Sequence, residues 1–220
     1  MHFHRLFIGV WLGALVAAAP AQQDHAPRLD VEIGNTALSV PRDYVISWNS
    51  RGKPHPNSRE RLWVAFSVPS FEPLGFGWAG GRTWEGVARQ REELRSRGED
   101  IVELVLTPDD GHPILWNRDS LERRCREFRG RFDDSTLGSL SGFSCLLADN
   151  VGKRYFPVHA RSMDGVLVCN LSDKPCELQA RGLSDKMLRT IPYIEQSQVW
   201  SAAQRLDAAE SFIRERIERR

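Results

Sequence analysis

The chain has 220 residues, with 30 lysine and arginine against 29 aspartate and glutamate, 41% hydrophobic and 27% charged. That balance belongs to a globular protein and excludes a disordered or fibrous one. A formal charge of +1 leaves no bulk basic field for nucleic-acid binding.

Met1 to Ala21 reads as a cleavable export signal. Arg5 supplies a positive start, Leu6 to Ala18 form an apolar run of 13 residues, and Ala19-Pro20-Ala21 is a small-x-small cleavage site. A bilayer-spanning helix needs ~20 residues, so the run argues against stable membrane insertion. No cysteine near the cleavage point offers a lipid anchor. Cleavage after Ala21 takes Arg5 away and leaves 199 residues with 29 basic and 29 acidic side chains. Residues 22–220 then suit a single domain, and the periplasm is its expected location in a bacterial source.

Leu29 to Ile33 alternates apolar and polar, Gly34-Asn35 is a turn pair, and Thr36 to Val40 alternates again, which predicts a hairpin. Pro41-Arg42-Asp43 breaks the chain before a strand at Tyr44 to Trp48. Asn49 to Glu60 is a loop rich in Pro, Ser and charge. Leu62 to Val68, almost continuously apolar, predicts a central strand. Pro69 to Gly81 is irregular. Thr83 to Arg97 predicts a helix with Trp84, Val87 and Leu94 on one face, and Ile101 to Leu106 a strand.

Asp119-Ser120-Leu121-Glu122 has the form of a capping box, followed by a helical stripe of Leu121, Cys125, Phe128 and Phe132. Strands are predicted at Phe143 to Ala148, Tyr155 to Ala160, Val166 to Asn170, Cys176 to Ala180 and Met187 to Tyr193. A long helix closes the chain from Ser197 to Glu218. Val199, Ala203, Leu206, Ile213 and Ile217 form its apolar stripe, and Arg205, Asp207, Glu210, Arg214 and Glu218 its outer face. Strands joined by short turns predict an α+β fold: a mainly antiparallel sheet with two or three packed helices.

The four cysteines, Cys125, Cys145, Cys169 and Cys176, are an even count in an exported chain, which predicts disulfides. Three connectivities are open. The six residues between Cys169 and Cys176 suit a bridge across a hairpin turning at Asp173-Lys174-Pro175, which would leave Cys125 with Cys145. No C-x2-C pair offers a metal site.

Motifs for chemistry are weak. Gly75-Phe76-Gly77-Trp78-Ala79-Gly80 matches the dinucleotide-binding glycine pattern, but six residues separate it from the preceding strand and Trp78 crowds the turn. Gly138-Ser139-Leu140-Ser141-Gly142 has leucine where a nucleophile elbow needs serine. His25, His55, His112 and His159 are scattered singly. His112 beside Asp109 and Asp110 reads as a polar turn, and Asp133-Asp134 as a solvated stop after a helix. These patterns imply neither a catalytic residue nor a cofactor.

Surface character remains. Phe71, Phe76, Trp78 and Trp84 crowd a Gly/Pro-rich segment with Arg82, and aromatic residues with arginine are the types enriched at interface hot spots. Their alternative role is a satellite core folded onto the sheet. The basic loop from Arg51 to Arg61 would steer an acidic partner or simply be solvated.

Val40-Pro41-Arg42-Asp43-Tyr44-Val45 resembles an element near the mature start of many small exported proteobacterial proteins. Leu62 to Val68 followed by Pro69-x-Phe71-x-Pro73 resembles their next strand and its exit. Cys169 and Cys176, a strand ending at Tyr193, and Trp200 opening a final helix resemble their C-terminal end. Some such proteins resemble periplasmic immunity proteins encoded beside antibacterial effectors of type VI secretion systems, phospholipases among them. The resemblance implies a non-enzymatic inhibitor whose partner is a secreted toxin, with Phe76, Trp78, Arg82 and Trp84 as expected contacts. The alternatives are a periplasmic hydrolase with a site assembled from distant residues and an envelope-assembly or envelope-binding factor.

Overall fold

The computed structural model describes residues 27–46, 61–77, 81–109, 118–172, 174–182 and 186–219. The expected export signal, most of the basic loop, the Asp173 turn residue, Trp78, His25, His55 and His112 lie outside them.

The fold is α+β. Strand β1 (Arg28–Ile33) and β2 (Thr36–Pro41) form the expected hairpin. β3 (Leu62–Val68) and β4 (Asp100–Pro108) flank helix α1 (Trp84–Ser96) in sequence. Helix α2 (Arg118–Glu127) precedes a meander of β5 (Arg131–Leu137), β6 (Leu140–Leu146), β7 (Gly152–His159), β8 (Asp164–Asn170), β9 (Cys176–Arg181) and β10 (Met187–Ile194). A 3-10 helix at Gln196–Ser201 leads into α3 (Ala202–Arg216), and β11 (Glu218–Arg219) ends the described chain. The main sheet is eight-stranded and antiparallel, in the order β3-β4-β10-β9-β8-β7-β6-β5; a smaller sheet has the order β1-β2-β11.

β3 stands at the end of that order, not in its centre. Its continuous apolar run reflects burial on both faces. Val64 and Phe66 face the main core, where Phe66 stacks on Phe212 of α3 with ring centroids 4.3 Å apart. Ala65 faces a second core with Ile46, Leu74, Val87 and Leu94, under α1. Full burial of a side chain such as Phe212 contributes ~2–3 kcal/mol. The outer edge of β3 is covered by isolated bridges from Val45 to Val64 and from Pro73 to Phe66. The expected strand at Tyr44 to Trp48 is instead a 3-10 helix at Arg42–Tyr44 followed by bridges at Val45 and Ile46, with Ser47 and Trp48 outside the described residues. Tyr44 reaches the core, edge-on to Phe212, and its hydroxyl donates to the Phe71 carbonyl at 2.8 Å.

Other expectations shift for physical reasons. α2 already includes Arg118, so Asp119 sits in its first turn and does not precede it. Leu121 and Cys125 are buried as the stripe requires, but the helix ends at Glu127; Phe128 is exposed and Phe132 belongs to β5. Asp133 and Asp134 lie within β5, an edge strand with polar residues on both faces, rather than in a stop after the helix.

Both expected disulfides are present. Cys125–Cys145 ties α2 to β6 with Cα atoms 5.8 Å apart, and Cys169–Cys176 ties β8 to β9 at 4.3 Å. Among the described residues no helix is long and apolar enough to cross a membrane.

Candidate interaction surface

The segment leaving β3 is shaped by close backbone contacts. Leu74 N–H donates to the Ala65 carbonyl and Gly75 N–H to the Asp43 carbonyl at 2.8 Å. A Cβ on Gly75 would lie 2.5 Å from the backbone of Asp43 to Val45, so this glycine serves chain packing. Gly77 takes a positive φ of 85°, and its amide and carbonyl pair with Arg82 and Gly81 to close the loop.

Arg82 holds that loop from within. Its guanidinium donates to the carbonyls of Pro73 (2.8 Å) and Asp43 (3.1 Å) and to Gln90 Oε1 (2.7 Å). Three segments are thereby fixed to one planar group, a role lysine's point charge does not reproduce. Thr83 then caps α1, its hydroxyl accepting from Gly86 N–H at 3.2 Å.

Trp84 is the first residue of α1 and is 51% exposed. It does not share the buried face of Val87 and Leu94, both fully covered. Phe76 meets its ring edge-on at 5.1 Å, and Arg91 lies over it at 5.5 Å from the centroid. Arg91 also pairs with Glu103 at 2.7 Å. Phe76, Trp84 and Arg91 therefore form one cluster in which Trp84 is half exposed, Phe76 packs against the second core, and Arg91, its side chain 11% exposed, is paired with Glu103. Phe71, at φ 56°, packs instead against Phe66 of the core.

A second aromatic area was not apparent from the sequence as a surface. Tyr193 is 60% exposed and Trp200 67%. The available signal is Pro192, which cannot donate to a ladder inside an otherwise regular strand. Arg91 and Tyr193 line one cavity of about 350 Å³, which joins this area to the Trp84 patch.

The polar groups elsewhere are structural in their contacts. Arg205, expected on the outer face of the last helix, is only 5% exposed. It donates to Ser201 Oγ, the Ile101 carbonyl, Asp100 Oδ1 and Gln198 Oε1. Desolvation pulls its pKa down, and the Asp100 charge opposes that. The Asp207 carboxyl is pushed up by desolvation. Hydrogen bonds from the Ser162 hydroxyl and the amides of Ser162 and Arg161, with the Arg161 charge, outweigh that and hold it below the usual range. The Glu99 carboxyl is held low by the hydroxyls of Ser70 and Ser67 and by Arg97. His159 Nδ1 lies 2.8 Å from Asp164 Oδ1 on an exposed hairpin. Among the described residues no group of three or more His, Cys, Asp or Glu is placed to hold a metal ion.

Two solved structures are similar to this chain. One is the iron-regulated outer membrane lipoprotein FrpD of Neisseria meningitidis, at 9% identity and a TM-score of 0.42, over 85% of this chain and 92% of that one. The other is Smlt3025, an immunity protein of the Stenotrophomonas maltophilia type IV secretion system, at 13% identity and a TM-score of 0.46, over 87% and 93%. Neither likeness is close enough to carry an argument about function. No protein-family model and no curated protein matches the chain.

Proposed function

We propose that this is an exported periplasmic protein that acts without catalysis, by binding another protein, as the immunity protein of an antibacterial effector. The observation that carries this reading is the Phe76–Trp84–Arg91 patch. It presents a half-exposed tryptophan braced by the largely covered Arg91 guanidinium, on a loop and helix start fixed by Arg82 and Thr83. Rigid aromatic and arginine anchors of this kind dominate binding energy at protein interfaces. Two disulfides fit an oxidising compartment, in line with the export signal read from Met1 to Ala21. The resemblance of Val40 to Val45 and of the C-terminal segment to exported immunity proteins gives the class of partner, a type VI secretion effector, with a phospholipase as one such target. Trp78 and Arg82 belong to the proposed contact area with Phe76 and Trp84.

The test is co-expression with the product of the adjacent gene, directed to the periplasm. That product kills the host alone, and this protein restores growth. Trp84→Ala lowers affinity by about a hundredfold while leaving the thermal midpoint nearly unchanged, because the side chain is half exposed. If the adjacent product is harmless, or kills equally with and without this protein, the proposal fails.

A further inference from the structure

The two ends of the main sheet are finished differently. β3, at one end of the strand order, has its outer edge covered by the bridges from Val45 and Pro73. β5, at the other end, pairs with β6 alone among the described residues. The Cys125–Cys145 bridge ties α2 to β6, one strand in from that edge.

Two turns fix which backbone groups of β5 face outward. The Leu147 N–H donates to the Val151 carbonyl, and the Leu171 N–H to the Gly152 carbonyl. Along β6, Cys145 and Phe143 therefore bond β7 like Leu147, while Gly152 and Arg154 bond β8. Ser144 and Leu146 are left to bond β5, opposite Asp133 and Arg131. The amides and carbonyls of Phe132, Asp134 and Thr136 thus point away from the sheet. Pairing with β6 runs from Arg131↔Leu146 to Leu137↔Leu140 without a shift, and the strand holds no proline or lysine. Such an edge is a template for a further strand, and its charges decide which strand is admitted.

Two copies related by a two-fold axis meet here antiparallel. Each outward-facing residue must oppose another, so the axis passes through a residue position. An axis at Arg131, Asp133 or Asp134 sets that residue against its own like charge, which destabilises the pair. An axis at Ser135 or Thr136 opposes each charge to a neutral residue. An axis at Phe132 sets Arg131 of each copy opposite Asp133 of the other, in the non-hydrogen-bonded pairs where side chains are closest. Arg131 and Asp133 already lie 2.6 Å apart within one strand, and their side chains are 73% and 43% exposed. The four groups then close a ring in which every neighbour has the opposite sign. On the other face the two Phe132 rings meet across the axis. Asp134, neutralised by Arg118 at 2.6 Å, falls opposite Gly130, which has no side chain to obstruct it. The second strand runs on beside Phe128, which is 63% exposed.

We infer that β5 is a pairing edge for a second copy of this chain, joined antiparallel about Phe132 into one continuous sheet. So short a contact implies weak, reversible association. The inference is independent of the binding role proposed above. The Trp84 cluster lies at the β3–β4 end, so both copies keep it open. The test is sedimentation equilibrium of the oxidised protein from about 10 µM to about 1 mM, with ¹⁵N spectra over the same range. The expected mass rises toward twice that of one chain, and the Phe132 and Asp134 amides move with concentration. Arg131→Asp alone makes every charge in the ring negative, and Asp133→Arg alone makes every one positive. Each abolishes association, and an equimolar mixture of the two variants restores it. An unchanged thermal midpoint shows that each variant keeps its fold. A single-chain mass at every concentration, which leaves the edge to a strand of another protein, overturns the inference. So do concentration-dependent shifts confined to residues outside β5, association that neither replacement weakens, or a mixture of folded variants that stays monomeric.

Discussion

Ser162 and Asp207 join the turn after β7 to α3. The Ser162 amide and hydroxyl each donate to Oδ1 of Asp207 at 2.8 Å, and the folded carboxyl is held below its ordinary value. A carboxyl depressed by folding stabilises the protein above its unfolded pKa. That contribution is lost as pH falls through the folded value. Ser162→Ala removes the hydroxyl donor, so the Asp207 pKa rises toward the ordinary range and acid unfolding begins at higher pH. A ¹³C titration of the carboxyl and an acid-unfolding curve read both. An upward shift of the folded-state pKa with no change in acid unfolding would mean that the unfolded-state pKa moved equally, and would overturn the stabilising role of this contact. Such a contact is invisible in sequence, because Asp207 and Ser162 are 45 positions apart.

At the level of elements, legibility followed how each strand is covered. β1, β2, β4 and β8 to β10 bury one face or a run of apolar residues, and their patterns predicted them. β5 reads Arg-Phe-Asp-Asp-Ser-Thr-Leu and lies at the sheet edge with no fully buried residue, so no apolar alternation marks it. What secures that end is covalent. The Cys125–Cys145 bridge spans 20 residues and Cys169–Cys176 spans 7. Loop-closure entropy gives them about 3 and about 2.5 kcal/mol respectively. The double replacement Cys125→Ser with Cys145→Ser should therefore lower the urea midpoint slightly more than Cys169→Ala with Cys176→Ala. It should also speed amide exchange mainly in α2 and β6. A uniform increase over all strands would mean that the sheet opens as one unit.

Across the whole molecule, Arg205 links parts remote in sequence. From α3 it reaches Asp100 and Ile101 in β4, more than 100 positions away, and Gln198 and Ser201 in the 3-10 helix. A guanidinium among charged neighbours reads as surface, so the sequence placed Arg205 outward; β4 pairs with β10 only from Val105 to Pro108, and Arg205 takes up the Ile101 carbonyl beyond that pairing. Arg205→Ala leaves Asp100 without its partner and the Ile101 carbonyl without its donor. It should cost about 3 kcal/mol by chemical denaturation. Arg205→Lys should recover little of this, since one ammonium cannot reach four acceptors across two elements. Recovery to near the wild-type value would reduce Arg205 to a charge.

The candidate binding area was legible only in part. Its aromatic content around Phe76 and Trp84 was visible in sequence, and so was its arginine. That Arg82 turns inward to three acceptors, and that Arg91 is largely covered between Trp84 and Glu103, depends on which face of α1 meets Leu94 and Val87. Tyr193 and Trp200 lie on neither apolar stripe; Tyr193 meets the cavity lined by Arg91 and Arg95 of α1 where β10 shifts register between Ile191 and Ile194, and Trp200 reaches that side from the 3-10 helix.

The Cys125–Cys145 bridge lies between α2 and β6, at the far end of the sheet order from β3, β4 and the Phe76–Trp84–Arg91 cluster, whereas Cys176 pairs directly with Ile194 of β10. Formation of the first bridge is thus remote from the proposed contacts on α1. A chain still lacking it would not have to wait for that oxidation before meeting a partner there. The bridge would then extend the protein's lifetime against proteases rather than switch on its affinity.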